Sequence, residues 1–471
     1  MNKETESTKW VVGRGPGRSG VLWAGPAAFL LLTGMACERG ELGDDRDGFT
    51  YQEWKAIEAL RPFSTPKLPN PANAWAEDLA AARLGQMIWY DTAFSSAIRV
   101  DGPTGKVGEA GKVACVTCHD PHKSFVDTRT RDPVSHGTAY TSRNSPALVN
   151  MAWYQWFTWG GRMDSLAMQG ANAPEAPTDV ATTRLFFAHV LYQKYRDEYN
   201  AIFPIPLDPA LDPADPGAAR FPAVGKPKAN AMAPDGPWEM MTGEDRKIIN
   251  TIMANTGKAI EAFERQLVSS GSPFERYVTQ GEFGALSPAA KRGLKLYIGK
   301  AACNECHFGS IMSDNKFHNI GVPQAFGAMV PAKDSGRFQE YNVALANPFR
   351  SSGEFSDNAA YGMAKVAPLV QVNEDPAAKE RLRGTFRTQA LLNIADTPPY
   401  FHNGSAQTLE DVVQFYNKGG GEPGTYDGAK NPRIVPLGLS EAEVADLVEF
   451  LKHLTGGPVA AEWTSNTAKP N

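Results

Sequence analysis

The chain has 471 residues, is 42% apolar, and carries a formal net charge of −5 from 47 basic and 52 acidic side chains. That length leaves room for about two to three domains of ~150 residues, and the apolar content is enough for proper cores. Mild acidity argues against a nucleic-acid binder, which would present a basic face.

Lys3, Lys9, Arg14 and Arg18 precede the apolar run Val21 to Ala36, which ends at Cys37. A basic region followed by a short apolar stretch reads as an export signal. It is too short, and too interrupted by Gly25, Pro26 and Gly34, for a comfortable membrane span. Small residues before Cys37 resemble a bacterial lipoprotein cleavage site, which would make Cys37 an acylated first residue holding the protein on a membrane. Gly34 stands where such sites prefer Leu, so cleavage nearby or an uncleaved signal anchor is the alternative. The expected location is the periplasm, with lipidated Cys37 as a membrane attachment.

Glu38 to Pro71 is polar and turn-rich and is expected to wrap the surface. From Glu77 to Tyr90, Leu79, Leu84, Met87 and Ile88 recur near helical spacing. This helix leads to Cys115-Val-Thr-Cys118-His119, and a second copy of the pattern stands at Cys303-Asn-Glu-Cys306-His307. C-x-x-C-H is a haem-attachment pattern. Two thiols a turn apart add across the two vinyl groups of one haem, and the following His is held beneath the iron as proximal ligand. The two patterns use four of the five cysteines. A zinc site built from both pairs is the alternative, but it needs the pairs to meet in space and gives no reason for a His at the same place in each. A thioredoxin-like dithiol lacks its βαβ surroundings. Export agrees with covalent haem attachment, which takes place outside the cytoplasm.

Asp120 to Thr141 is polar and reads as irregular, and Arg143-Asn144-Ser145-Pro146 as a turn. The run Trp153, Tyr154, Trp156, Phe157 and Trp159 suits a haem-packing wall, although ordinary core aromatics read the same way. Arg184 to Tyr199 reads as a helix. Nine prolines between Phe203 and Trp238 rule out a sustained helix or central strand there, leaving a linker or surface insertion. Lys247 to Ser269 returns to helix, with Ile249, Ile252, Ile260, Phe263 and Leu267 on one face. Ser287-Pro288 starts a helix that feeds the second haem pattern as the earlier helix feeds the first. Pro323 to about Arg383 reads as irregular. Thr408 caps a helix ended by Gly419-Gly420-Gly421. Ser440-x-x-Glu443 is a capping box whose helix stops at Gly456-Gly457-Pro458. No strand-rich region stands out, so the fold is expected to be mainly α.

From about Leu84 to Leu454, interrupted by the Pro-rich stretch, the chain resembles the bacterial di-haem cytochrome c peroxidase and MauG superfamily. Besides the haem patterns, the landmarks are Leu84-Gly85, Arg143-Asn144-Ser145-Pro146, Trp159-Gly-Gly-Arg162, Gln169, Phe317-His318-Asn319-Ile320-Gly321-Val322 and Pro399-Tyr400-Phe401-His402-Asn403-Gly404. The resemblance implies two cytochrome c-like haem domains in tandem with long irregular loops: residues 1–37 as export signal, 38–202 as N-terminal haem domain, 203–238 as linker or insertion, and 239–471 as C-terminal haem domain. It implies a peroxide site at the first haem and an electron relay at the second, with His119 and His307 as proximal ligands.

The family places a Gln and a Glu over the peroxide site. Gln169 matches the first. The Glu falls on Asp179, one methylene shorter, with Glu175 as the fallback. Cleaving the O–O bond needs a group that takes a proton from the near oxygen and delivers it to the far one. Trp159 matches the tryptophan between the haems. Typical peroxidases place a Met over the second haem; Tyr416 stands there, as in MauG-like members, and a phenolate favours higher oxidation states of iron where a thioether favours the ferrous state. His136 lies where some peroxidases carry a distal His that leaves the first haem on reduction; a mobile loop His is the alternative. Asn144, with the carbonyls of Thr397 and Pro399, matches the family's calcium site. His122, His189 and His453 are expected at the surface. The implied activity is reduction of hydrogen peroxide with electrons from a small cytochrome or cupredoxin. The alternatives are a MauG-like enzyme that uses a bis-ferryl state to oxidise Trp or Tyr of a partner protein, and a plain electron-transfer cytochrome.

Overall fold

Two helix crossings organise the chain, and a glycine lets each approach closely. In the computed structural model, which describes residues 46–130, 134–324 and 334–470, helix α2 (Leu79–Tyr90) crosses α7 (Gly243–Glu264) at Gly85. A Cβ at Gly85 would stand 2.1 Å from the Ala259 carbonyl oxygen. Helix α9 (Pro288–Ile298) crosses α14 (Glu441–Lys452) at Gly293, where a Cβ would stand 2.0 Å from the Asp446 carbonyl oxygen. The helix before each C-x-x-C-H thus locks onto a later helix at a bare backbone position. The export segment and Cys37 lie outside the described residues.

In chain order, α1 (Tyr51–Glu58) is held by the Thr50–Glu53 capping box, α2 by Asp78, and α3 (Cys115–Cys118) is the short turn of the first haem pattern. Next come α4 (Leu166–Asn172), α5 (Arg184–Ile202), α6 (Pro237–Met240) and α7, then α8 (Pro273–Gln280) and α9. The last are α10 (Arg337–Ala346), α11 (Ala359–Glu374), α12 (Pro376–Glu380), α13 (Leu409–Asn417), α14 and α15 (Ala461–Thr464). The only named strands among the described residues, β1 (Phe317–His318) and β2 (Phe386–Arg387), pair antiparallel with Phe317 opposite Arg387. The fold is mainly helical, and no helix among the described residues is long and apolar enough to cross a membrane.

The expected caps at Ser287, Thr408 and Ser440 each accept from a backbone N–H three residues on. Three expectations differ. Glu38 to Pro71 holds α1, whose Trp54 and Ile57 are buried. The stretch after Pro323 holds α10, α11 and α12. There Val366 and Leu369 of α11 join Trp156 and Tyr341 in a second apolar cluster, and Pro368 in the helix interior hides the pattern. Third, α7 lies beyond the Pro-rich stretch, inside the segment 239–471, yet it packs on α2 and α4. At that contact a Cβ on Gly257 would stand 2.2 Å from the Ala167 carbonyl oxygen.

The Pro-rich stretch itself is anchored rather than loose. Phe203, Leu207, Leu211, Phe221 and Trp238 are buried. His189, expected at the surface, is half-buried, with its ring nitrogens on the carbonyls of Leu211 (2.9 Å) and Phe221 (3.1 Å).

Candidate active site

Each C-x-x-C-H turn presents its cysteines and histidine together. All four cysteines are unpaired and half-buried, and burial pushes the thiols of Cys115 and Cys303 up to about 12. The Nδ1 of His119 bonds the Phe125 carbonyl at 2.8 Å, and that of His307 the Met312 carbonyl at 3.1 Å. A histidine whose Nδ1–H is so engaged is held as the tautomer with a bare Nε2, the arrangement of a metal ligand. Burial also holds both imidazoles below their ordinary range, hence neutral. Trp89 packs its ring 6.4 Å from His119 and 5.6 Å from Phe125, an apolar wall for the first haem.

The residues fit two haems in other ways. Arg387 is buried, and its Nε and Nη1 meet no acceptor among the described residues. The Gln389 backbone two residues on reaches His307, so Arg387 offers two unspent donors beside the second haem pattern, as a haem carboxylate requires. The two cysteine pairs do not assemble one zinc site. Among the described residues the only cluster of three metal-type donors is Cys306, Asp314 and His318, and the Cys306 sulfur belongs to the haem pattern. His318 bonds Asp314 at 2.8 Å and is pushed up to about 9, first by that carboxylate and then by Cys306.

The structure separates the candidates for the first site. Gln169, on α4, has a buried Oε1 with no hydrogen-bond partner among the described residues. Asp179 receives one side-chain bond, from the Thr178 hydroxyl at 2.9 Å. Burial pushes its carboxyl up against the opposing pull of Thr178 and Arg162, and it acts electrostatically on both Cys115 and Cys118. Its loop is fixed by Thr138 N–H donating to the Asp179 carbonyl (2.9 Å) and Ala139 N–H to the Thr178 carbonyl (3.2 Å). Glu175 is spent elsewhere: it accepts from the Arg184 backbone N–H at 2.9 Å and pairs with the Arg184 guanidinium at 2.6 Å. His136, read as a ligand of the first haem or a loop His, has both ring nitrogens engaged. It is fully buried, with Nδ1 on the Thr104 hydroxyl at 2.6 Å and Nε2 on the Val100 carbonyl at 3.0 Å.

Between the two patterns, the Trp159 indole N–H donates to the Asn144 carbonyl at 2.7 Å, and Arg387 N–H donates to the Trp159 carbonyl at 2.8 Å. The Asn144 side chain donates from Nδ2 to the Pro399 carbonyl at 2.7 Å. His402 stands 6.3 Å from the Trp159 ring and stacks on Phe386 at 3.7 Å. Near the second pattern, Tyr416 on α13 lies close enough to Cys303 and Cys306 for their charges to act on its hydroxyl, and burial pushes that phenol up. No hydrogen bond holds the hydroxyl elsewhere among the described residues.

Comparison with known proteins matches this arrangement. The family model of the di-haem cytochrome c peroxidases fits residues 79–282. The cytochrome-c peroxidase IdrP1 of Denitromonas iodatirespirans is 30% identical over 400 residues, 83% of this chain and 85% of that protein. The chain belongs to the di-haem cytochrome c peroxidase family. It is a di-haem c-type oxidoreductase acting on peroxide. The cytochrome-c peroxidase IdrP2 of Pseudomonas sp. strain SCT is 28% identical over 96% of both chains. The methylamine utilization protein MauG of Methylorubrum extorquens is 28% identical over 87% of this chain and 88% of its own. Among solved structures, a MauG-like protein associated with microbial copper homeostasis superposes with a TM-score of 0.57 at 24% identity. That superposition covers 86% of this chain and 99% of the other. The di-haem peroxidase BthA of Burkholderia thailandensis superposes at 0.55, with 20% identity, over 86% and 94%. Both show the shared fold.

Sequence reading missed three side chains that stand near these residues. Arg387 gave no local signal; only its unspent donors mark it. Arg143 was read as part of a turn, yet it binds Asp334 through Nε and Nη2 at 2.7 Å each and Glu340 through Nη1 at 2.6 Å, tying the turn beside Trp159 to the loop before α10. Glu264, at the end of α7, is a buried carboxyl acting on Cys115.

Proposed function

We propose that this peroxidase reduces hydrogen peroxide in the pocket over His119, with Asp179 as the acid–base group and Gln169 as its partner. The observation that carries the reading is the division between the two loop carboxyls: Glu175 is neutralised by Arg184, whereas Asp179 has one hydroxyl neighbour and lies against the first haem pattern. When bound, the haem supplies the iron at which the O–O bond is cleaved. Asp179 takes the proton of the near oxygen and returns it to the far one, which leaves as water. Its opposing influences, burial pushing the carboxyl up and Arg162 and Thr178 pulling it down, suit a group that must cycle between both forms. Gln169 Oε1 accepts a hydrogen bond from peroxide and orients it. Trp159 would carry charge between the two sites, and Tyr416 would help hold the second haem's iron through its phenol oxygen, giving up its proton on binding.

Calcium is part of the same proposal. Asn144, Thr397 and Pro399 offer oxygen donors, and Asn144 must turn its amide so that Oδ1 replaces the Nδ2 now on the Pro399 carbonyl. Lys3 to Cys37 supports export to the periplasm, with acylation at Cys37 tested by palmitate labelling. The electron donor is a small cytochrome or cupredoxin.

A second reading is favoured by Tyr416 at the place of the usual Met: a MauG-like enzyme that oxidises Trp or Tyr of a partner protein. Steady oxidation of a reduced small cytochrome by peroxide, two equivalents per peroxide, supports the first reading. A protein that consumes peroxide but gives no turnover with any reduced cytochrome or cupredoxin supports the second.

A further inference from the structure

Glu264 is 2% exposed, and its Oε2 meets no hydrogen-bond donor among the described residues. Leaving a buried carboxyl oxygen unsatisfied costs stability, so a purely structural role for it is poorly served. Glu264 and Asp179 both act electrostatically on Cys115, which places two carboxyls near the sulfur that fixes the first haem. One turn earlier on α7, on the same face, stands Glu261, also 2% exposed. Glu261 is fully partnered: Asn70 Nδ2 donates to both oxygens at 2.8 Å, and Asn73 Nδ2 and the Ala167 N–H donate to Oε2 at 3.1 and 3.2 Å. It also lines a cleft of about 170 Å³, walled in addition by Tyr154, Gln155, Tyr361 and Lys365 and brought to solvent by the exposed Gln155 and Pro69.

Reducing one peroxide to two waters consumes two electrons and two protons. The electrons come from the reductant; the protons must come from solvent. We propose that Glu261 and Glu264 form a proton inlet from this cleft to the first haem pocket, with Glu264 as its inner station. The proposal rests on the reading that peroxide is reduced in that pocket. In each transfer Glu264 gives its carboxyl proton inward and is reprotonated from the Glu261 side, so neither carboxyl is changed over a turnover.

Burial, and then the charge of Glu261, push Glu264 up to about 8, so it holds a proton at neutral pH. Two cations also face Glu261. The Arg265 guanidinium, which binds Glu77, lies 3.9 Å from Glu261 Oε1, and Lys365, which donates to the Asp164 carbonyl, lines the same cleft; burial pushes the Glu261 carboxyl up, and these charges pull against it. Lys67 donates to the Arg265 carbonyl, and Cys115 stops titrating once it is a thioether.

The test is Glu264→Gln in the mature two-haem protein, with haem content checked by intact mass. Peroxide consumption should fall by about 10²-fold at pH 7 with a changed solvent deuterium isotope effect. The decline of the wild-type rate above about pH 8 should disappear. An infrared carboxylic-acid band present in the wild type at pH 7 should be missing. A rate within about twofold of wild type, with the isotope effect and pH profile kept, overturns the inlet. If Glu264→Gln fails to retain both haems, Glu261→Gln is measured in the same way and judged by the same outcomes. A wild-type protein that consumes no peroxide overturns the underlying site instead, whereas an active wild type with indifferent variants overturns the inlet alone.

Discussion

Trp159 gives its indole proton to the Asn144 carbonyl at 2.7 Å. The side chain of that same Asn144 bonds the Pro399 carbonyl, so Trp159 and the proposed cation site share one anchor. Replacing Trp159 with Phe removes both the indole and the hydrogen bond. We predict slower electron exchange between the haems in rapid-mixing spectra, with both haems retained. Unchanged kinetics would reduce Trp159 to a packing residue.

The shared anchor carries a second expectation. A chelator should slow the same inter-haem exchange, and added calcium should restore it where magnesium does not, because the smaller ion demands a stricter octahedral shell. Identical rates before and after chelation would remove calcium from the relay.

The two loop carboxyls should fail in different ways. Asp179→Asn should slow the reaction with peroxide by at least ~10²-fold while leaving unfolding unchanged. Glu175→Gln breaks a buried pair, its side chains 12% and 7% exposed, and should cost about 3–5 kcal/mol in denaturant titration with little effect on the folded protein's rate. Exchanged phenotypes would reverse the assignment.

Asp179 and Glu175 are four residues apart in a Pro-rich loop, and no local rule distinguishes them. The distinction comes from Arg184, at the start of the next helix. His136 was opaque for the same reason: Thr104 and Val100, which occupy its two nitrogens, lie more than thirty residues upstream in the chain. By contrast, the haem turns and the caps at Ser287, Thr408 and Ser440 follow spacing rules that span three or four residues, and these were legible. Helix α11 was not, because Pro368 interrupts it and its buried face meets Trp156 and Tyr341 from other parts of the chain.

Tyr416→Met should change the visible spectrum of the second haem and leave the first intact, since burial without a metal only pushes the phenol up and a bound iron must displace its proton. An unaltered spectrum would refute ligation by Tyr416.

Acid should weaken the Asp334–Arg143 pair. Asp334 is 1% exposed, and the Arg143 guanidinium on both its oxygens holds its carboxyl below the usual range despite burial. A carboxyl depressed in the folded state contributes stability above its unfolded value of about 3.9 and loses it as pH falls through the folded value. Wild-type stability should therefore drop below about pH 4. Asp334→Asn should be less stable at pH 7 and show a smaller acid-dependent loss. Parallel curves for the two proteins would show that the pair contributes nothing.

Mixing the ferric protein with one equivalent of peroxide in a stopped-flow spectrometer tests most directly whether the pocket over His119 is where peroxide reacts. The predicted result is a rapid change in the haem absorption that Asp179→Asn slows by at least ~10²-fold. An absorption unchanged by peroxide, or a change that Asp179→Asn leaves at the wild-type rate, would contradict it.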